Sequence, residues 1–327
     1  MAIFDRPPHI CILLYPHVQM SAADGLTDLF AIAEMLSRSR LGSTSPVLHV
    51  THCAMADDGS IATVFGGAQE TSGDPDVVIL PPSLGDPPRG LELEPFVKWL
   101  RACHVRGSLL ASVCAGAFLL AETGLLSGRE ATTHWAYADA LADRYPDIRV
   151  KADKLLIEDR DLITAGGLMA WTDLGLKLVD RLLGPASMME TARYLLIDPP
   201  GREQRFYNSF SPRLSHGDTP ILKVQQWLQT KEASNITLTE MSAEAGLEKR
   251  TFLRRFSAAT GLRPNEYFQH LRVDRARKCL EDSRKPIDQV AWEVGYGDPA
   301  SFRKIFHKIV GLTPGEYRKR FSQSLLA

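Results

Sequence analysis

The chain has 327 residues, 44% apolar and 24% charged, which points to two folded domains and excludes wholesale disorder. The uncharged stretch 107–121 is 15 residues, short of the about 20 that a membrane-spanning helix needs, so no membrane partner is expected. The formal charge of −1 hides a segregation: residues 221–327 hold 19 Lys and Arg against 12 Asp and Glu, a net of +7, and the first 220 carry −8. A basic carboxyl-terminal part fits a polyanionic partner, although a solvated basic surface has the same composition. Positions 1–5 show no basic region leading into an apolar core, so no secretory leader is expected. Five cysteines, at 11, 53, 103, 114 and 279, are too few and scattered for a disulfide framework and fit a reduced, cytoplasmic protein.

Over residues 1–197 short β-branched runs alternate with longer amphipathic ones. Strands are expected at 9–15, 47–53, 76–80, 108–113 and 162–165. Helices are expected at 22–37, 94–105, 117–123, 135–144, 170–183 and 186–196. The runs 10–14 and 77–80 are apolar on both faces, as central parallel strands covered by helices would be. Residues 154–157 and 162–164 read as a local hairpin. Strands alternating with helices indicate a doubly wound α/β domain with a mostly parallel sheet. From 198 to 220 the pattern breaks: Pro199, Pro200, Gly201, Pro212, Gly217 and Pro220 punctuate a polar stretch expected to link two domains. The remainder, 221–327, reads as wholly helical.

That second segment contains a duplication. Phe252, Phe256, Gly261, Leu262, Pro264, Glu266 and Tyr267 return fifty residues later as Phe302, Phe306, Gly311, Leu312, Pro314, Glu316 and Tyr317. Upstream, Leu238, Ala245 and Gly246 match Ile287, Val294 and Gly295 at an offset of 49. Each copy has a short helix (238–245; 287–294), a turn opened by a glycine able to adopt a left-handed conformation, and a second helix (249–260; 299–310). The Phe pair four residues apart faces inward on that second helix. Its solvent face carries Arg250, Thr251, Arg254 and Arg255 in the first copy and Ser301, Arg303, Lys304 and Lys308 in the second. Cations for guanine edges and phosphates, with hydroxyls for backbone oxygens, suit a recognition helix on double-stranded DNA.

Residues 221–322 resemble the AraC/XylS family of DNA-binding domains, in which two helix-turn-helix units are joined by a long helix, here 265–282. The resemblance rests on Ile287-x-x-Val-Ala-x-x-Val-Gly-Tyr296, on Ser301-Phe-Arg-Lys-x-Phe306 and on Gly311-Leu-Thr-Pro-Gly-Glu-Tyr-Arg318. It implies promoter or operator DNA as partner and RNA polymerase as a second one, with activation and repression both open.

In the first domain, Ser108-Leu-Leu-Ala-Ser-Val-Cys114-Ala-Gly116 puts a cysteine where an apolar strand turns into a helix. A helix N-terminus favours thiolate, and a glycine two residues on leaves room for a sharp elbow. A reactive thiol and a buried inert one are equally compatible with that spacing. Ala115 follows Cys114, so no histidine sits beside it; His134 is the nearest candidate base and fits equally as a pocket-lining or capping residue. His49 and His52 lie on opposite faces of a strand, a poor metal site. No Gly-x-Gly-x-x-Gly, P-loop or His-Glu-x-x-His pattern occurs, so no cofactor or metal is expected.

Residues 9–197 resemble the class I glutamine amidotransferase-like superfamily that includes the PfpI proteases and isonitrile hydratases, through Ser112-Val-Cys-Ala-Gly-Ala-Phe-Leu-Leu-Ala121, Gly124-Leu-Leu-x-Gly128, Ala131-Thr-Thr-His-Trp135 and Thr164-Ala-Gly-Gly167. Joined to an AraC-type domain, this resembles the GlxA-like regulators. The implied architecture is a flavodoxin-like α/β sensing domain over 1–197, a linker over 198–220 and an all-α domain with two helix-turn-helix units over 221–327. Homodimerisation is also implied. Protease members carry His where this chain has Ala115, and hydratase-like members carry an acidic residue where it has Ala22, with Asp24 nearby. Cys114 therefore lacks its usual carboxylate, which favours a pocket for a small-molecule effector, lined by Ala22, Asp24, Ser83, Cys114, Ala115, His134 and Trp135, over catalysis. Two other readings stand beside it: a thiol hydrolase or hydratase, and a redox sensor at Cys114 with Cys53 or Cys103 as resolving thiol.

Overall fold

The structure is a computed structural model that describes residues 6–66, 73–210, 212–231 and 236–322; the leader-sequence expectation for positions 1–5 falls outside them. The chain forms two compact units, Met1–Gln204 and Arg205–Ala327.

In the first unit the chain runs β1 (His9–Leu14), α1 (Met20–Leu41), β2 (His49–Met55), β3 (Ile61–Phe65), β4 (Val77–Leu80), α2 (Glu94–Val105), β5 (Leu109–Val113) and α3 (Gly116–Glu122). It continues through β6 (Glu130–Ala131), α4 (Ala138–Arg144), β7 (Arg149–Val150), β8 (Leu156–Asp159), β9 (Leu162–Ala165), α5 (Trp171–Leu183) and α6 (Pro185–Leu195). Seven strands make one sheet in the order β3-β2-β1-β4-β5-β9-β8. The five inner strands are parallel, and β3 and β8 are antiparallel at the edges.

The period of two along each strand separates two cores. Ile10, Ile12, Val77 and Ile79 pack with α1 and α5 on one face, whereas Cys11, Leu13, Val78 and Leu80 pack with α2 and α3 on the other. Both faces being covered is why the runs 10–14 and 77–80 have no polar side. The chain leaves β1 toward β2 and β3, then resumes at β4 on the other side of β1. The carboxyl ends of β1 and β4 thus flank a topological switch point, where open α/β sheets place their ligand crevice.

Three strands escaped the sequence reading. Most of β3 is exposed, so it has no buried face to betray it, and β6 and β7 are two residues each. Residues 135–144 form a 3₁₀ turn, Trp135–Tyr137, followed by α4, rather than one helix. Cys11 and Cys53, on neighbouring strands and the same face, are joined as a disulfide with Cα atoms 6.4 Å apart, where separate thiols were expected. The register explains it: Cys53 lies opposite Leu13, two residues along from Cys11.

The stretch 198–220 is less open than its composition implies. Arg202, Glu203 and Gln204 bond into the first unit, while Tyr207 and Phe210 stack on Phe321 and Tyr267 of the second. The second unit consists of α7 (Thr219–Thr230), α8 (Leu238–Glu244), α9 (Lys249–Thr260), α10 (Pro264–Asp282), α11 (Ile287–Glu293), α12 (Pro299–Val310) and α13 (Pro314–Phe321). Phe252 and Phe256 pack with Met241, Ile221 and Tyr267; Phe302 and Phe306 pack with Val290, Leu280 and Tyr317. The joining helix α10 supplies Tyr267 and Phe268 to the first core and Val273, Ala276 and Leu280 to the second. Gly246 and Gly295 take φ of 63° and 87°, the left-handed turn that each duplicated motif requires.

Candidate ligand site and nucleic-acid interface

Between β5 and α3 the backbone turns at Cys114, whose φ of 54° is uncommon for a residue with a side chain. The turn is held from two sides. Cys114 N–H donates to the Ala165 carbonyl at 2.7 Å, and the Cys114 carbonyl accepts from the Thr133 hydroxyl at 2.7 Å. A Cβ on Gly116 would lie 2.5 Å from the Leu80 carbonyl oxygen, so the close approach of β4 requires the glycine of the elbow.

The thiol is buried and receives the backbone N–H groups of Ala115 and His134, yet burial outweighs both and pushes its pKa up to about 11. At neutral pH it is protonated. The expectation that the start of α3 would favour thiolate is therefore corrected: desolvation of the charged form exceeds what two N–H dipoles return. His134 meets the sulfur through its main chain. Its ring accepts from Ala136 N–H at 3.1 Å, capping the 3₁₀ turn, and burial lowers its pKa. Cys53 is engaged by Cys11, and both Cys53 and Cys103 belong to the opposite core layer from Cys114. The expected resolving thiols are thus not brought to the elbow.

Around the thiol the structure assembles residues that motif reading passed over. The Tyr15 phenol donates to the Pro81 carbonyl and lies beside Cys114 and Ser83. Ser83, buried, bridges to Val18, and Gln19 N–H donates to Pro82 O at 2.7 Å. Gln19 Oε1 is buried without a hydrogen-bond partner. Such a group costs about 1–3 kcal/mol if left unmet, so a polar atom of this kind at a sheet's carboxyl end befits a ligand site. Of the residues expected to line it, Ser83, Cys114, Ala115 and His134 come together. Ala22 is buried on α1, and Trp135 donates its N–H to Gln204. Asp24 is not brought in: it is exposed on α1, and its charge acts on His52. No described group of three or more His, Cys, Asp or Glu is placed to hold a metal ion.

In the second unit α9 and α12 present their faces as the Phe pairs dictate, 200° from Arg254 and Lys304 at about 100° per residue. Arg250, Arg254, Lys304 and Lys308 are exposed, and Thr251 is half-buried. Three expected DNA contacts are already engaged within the protein. Arg255 donates twice to Asp218, at 2.9 and 2.8 Å; Arg303 pairs with Asp288; the Ser301 hydroxyl donates to Asp298, the N-cap of α12, at 2.7 Å.

Residues 46–181 match the DJ-1/PfpI family, and residues 241–320 match a helix-turn-helix domain family. The HTH-type transcriptional regulator GlxA of Rhizobium meliloti is 27% identical over 224 residues, 68% of this chain and 68% of that protein. The regulator CdhR of Pseudomonas aeruginosa is 26% identical over 226 residues, covering 68% and 66%, and ArgR of the same organism is 26% identical over 241 residues, covering 73% and 70%. The chain thus spans about two thirds of the length of these relatives. No described helix is long and apolar enough to cross a membrane. A parallel α/β unit with a cysteine elbow, followed by a duplicated helix-turn-helix, agrees with both family matches: the chain joins a DJ-1/PfpI-family domain to a helix-turn-helix domain, as regulators similar to it do.

Proposed function

We propose that this protein regulates transcription by binding duplex DNA through α9 and α12 while its first unit senses a small metabolite at the Cys114 elbow. The observation that carries the DNA reading is the repetition itself: the same buried Phe pair, left-handed glycine and exposed cations occur twice. The elbow reading is supported by the buried polar groups of Tyr15 and Ser83 beside Cys114, and by the unmet Gln19 Oε1 on the segment bonded to Pro82. We read the elbow as non-catalytic, because burial holds its thiol protonated against the pull of two backbone N–H groups, and no cationic side chain acts on it to favour thiolate. A homodimer in the cytoplasm working with RNA polymerase completes the proposal.

The test is a footprint of the full chain on duplexes selected from a random pool. Two protected major-groove segments about 34–36 Å apart are expected, one per unit; protection of one segment alone would defeat the two-unit reading. For sensing, amines, amino acids and carboxylates are screened for a raised melting temperature of the first unit's transition. Cys114→Ala should alter that dose–response and leave DNA affinity as it is. An unchanged dose–response removes Cys114 from the pocket.

A further inference from the structure

Gln204 is 2% exposed, although it sits in a Pro- and Gly-punctuated stretch that composition marks as linker. Its amide is fully used. Nε2 donates to Thr133 O at 2.8 Å, Lys154 O at 2.9 Å and Thr132 Oγ1 at 3.1 Å, while Oε1 accepts from Trp135 N–H at 3.1 Å. A Cβ on Gly166 would lie 1.9 Å from Nε2, so the second glycine-bearing turn of the elbow is shaped to admit this side chain. Flanking residues fasten the same strap: Arg202 donates to Asp173, itself 2% exposed, and Lys154 donates to Glu203 at 3.1 Å.

The segment that Gln204 grips is the one that holds Cys114. Thr133 supplies the hydroxyl bonded to the Cys114 carbonyl, and His134 supplies an N–H to the sulfur. The residue after Gln204 is Arg205, which opens the helical unit and whose carbonyl accepts from Arg277 on α10 at 2.8 Å. One residue therefore stands between the elbow's supporting segment and the first anchored residue of the DNA-binding unit.

We propose that Gln204 is the positioning residue of the sensor site: it fixes residues 132–135 against Cys114, and through it a change at the elbow reaches Arg205. The signalling role rests on the elbow being the sensor site, but the coupling does not depend on which molecule occupies it. A thiol reagent can replace the effector. By linkage the effect runs both ways: loosening Gln204 exposes Cys114, and occupying Cys114 loosens Gln204.

The full-length protein is treated with iodoacetamide under native conditions, and labelling is followed for each cysteine by mass spectrometry. In Gln204→Met, which keeps the length but loses every hydrogen bond, Cys114 should label about tenfold faster than in wild type because the segment opens locally. Cys279, in the other unit, should label at its wild-type rate and serves as the reference. Gln204→Glu, which sets a carboxylate against the carbonyl oxygens of Thr133 and Lys154, should label at least as fast. In wild type, N-ethylmaleimide on Cys114 should speed amide exchange over residues 203–208 about fivefold and leave 249–260 unchanged. This last measurement needs no variant, so a substitution that fails to fold does not shield the proposal. Wild-type labelling of Cys114 in a folded Gln204→Met protein, or unchanged exchange over 203–208 after blocking, overturns it. Failure of a metabolite to bind the elbow would leave both results standing, and so separates the two readings.

Discussion

The two helix-turn-helix units share an interior and differ at the surface. Phe252 and Phe256 on α9 and Phe302 and Phe306 on α12 are all fully buried, and each pair meets an aromatic from the following helix, Tyr267 or Tyr317. The outer faces diverge. On α9 two arginines, Arg250 and Arg254, are exposed beside Lys249, and the helix opens with Lys249 and Arg250 with no side-chain N-cap. On α12 the free cations are lysines, Lys304 and Lys308, and Asp298 caps the helix through the N–H groups of Ala300 and Ser301. A guanidinium fork matches a guanine edge in two bonds, whereas an ammonium is a point charge that serves phosphate well. Cations at a helix N-terminus oppose the helix dipole, so α9 begins less comfortably than α12. If the chain binds DNA as proposed, base reading is expected of Arg250 and Arg254 in the first unit and backbone holding of Lys304 and Lys308 in the second.

The shared interior sets the largest expected effects. Phe256→Ala and Phe306→Ala should each cost about 3–5 kcal/mol of the helical unit's stability in urea unfolding, with equal penalties in the two units. A clear inequality would show that one core is the looser, and the divergence would then extend inward. Next come the free cations. Arg254→Ala should lose about 1–3 kcal/mol of specific affinity and relax preference at one base position. Lys304→Ala should weaken all sequences alike and lower the salt slope by about one ion. The reverse pattern in a selection experiment would exchange the two assignments.

These contrasts also mark how far the sequence could be read. The bounds of α9 and α12 were legible to the residue, because a Phe pair four apart fixes the buried face and Gly followed by Pro ends the helix. The parallel sheet was legible from runs apolar on both faces. The free cations were not separable from the engaged ones: Asp218, which takes Arg255, is 37 residues away. Gln204 was invisible for the same reason, its partners lying 50 to 72 residues back. At Cys114 the local signal was read with the right sign, since N–H groups do point at the sulfur, but the depth of burial that overrides them is a property of the assembled sheet.

Arg255 offers a smaller effect with a pH signature. Its guanidinium holds the Asp218 carboxyl below the usual range, hydrogen bonding being the larger cause. A carboxyl whose folded pKa is depressed stabilises above its unfolded value near 3.8 and loses that contribution as pH falls through the folded one. The pair is partly exposed, at 33% and 19%, so solvent screening keeps its contribution small. Arg255→Ala should remove that contribution at pH 7 and flatten the acid limb below pH 4, while Arg303→Ala, whose pair with Asp288 is about half exposed on both sides, should move neither. Equal acid limbs in the two variants would erase the distinction between an anchoring arginine and a surface one.

The finest test concerns the helix starts. Asp298 accepts from Ala300 N–H at 3.1 Å and Ser301 N–H at 2.9 Å, meeting two donors that a helix N-terminus otherwise leaves to water. Asp298→Ala should therefore cost about 1 kcal/mol. Glu248, at the equivalent place before α9, caps nothing with its side chain, so Glu248→Ala should be nearly neutral. Glu248→Ser, by contrast, supplies a short hydroxyl at the right reach and should gain about 0.5 kcal/mol, the lower end of what such caps contribute. If α9 is left uncapped because phosphate takes that role on DNA, the gain in the free protein should shrink when stability is measured with duplex bound. A gain of equal size in both conditions would mean that the bare helix start has no part in binding, leaving Arg250 and Arg254 as the whole of the difference between the two units.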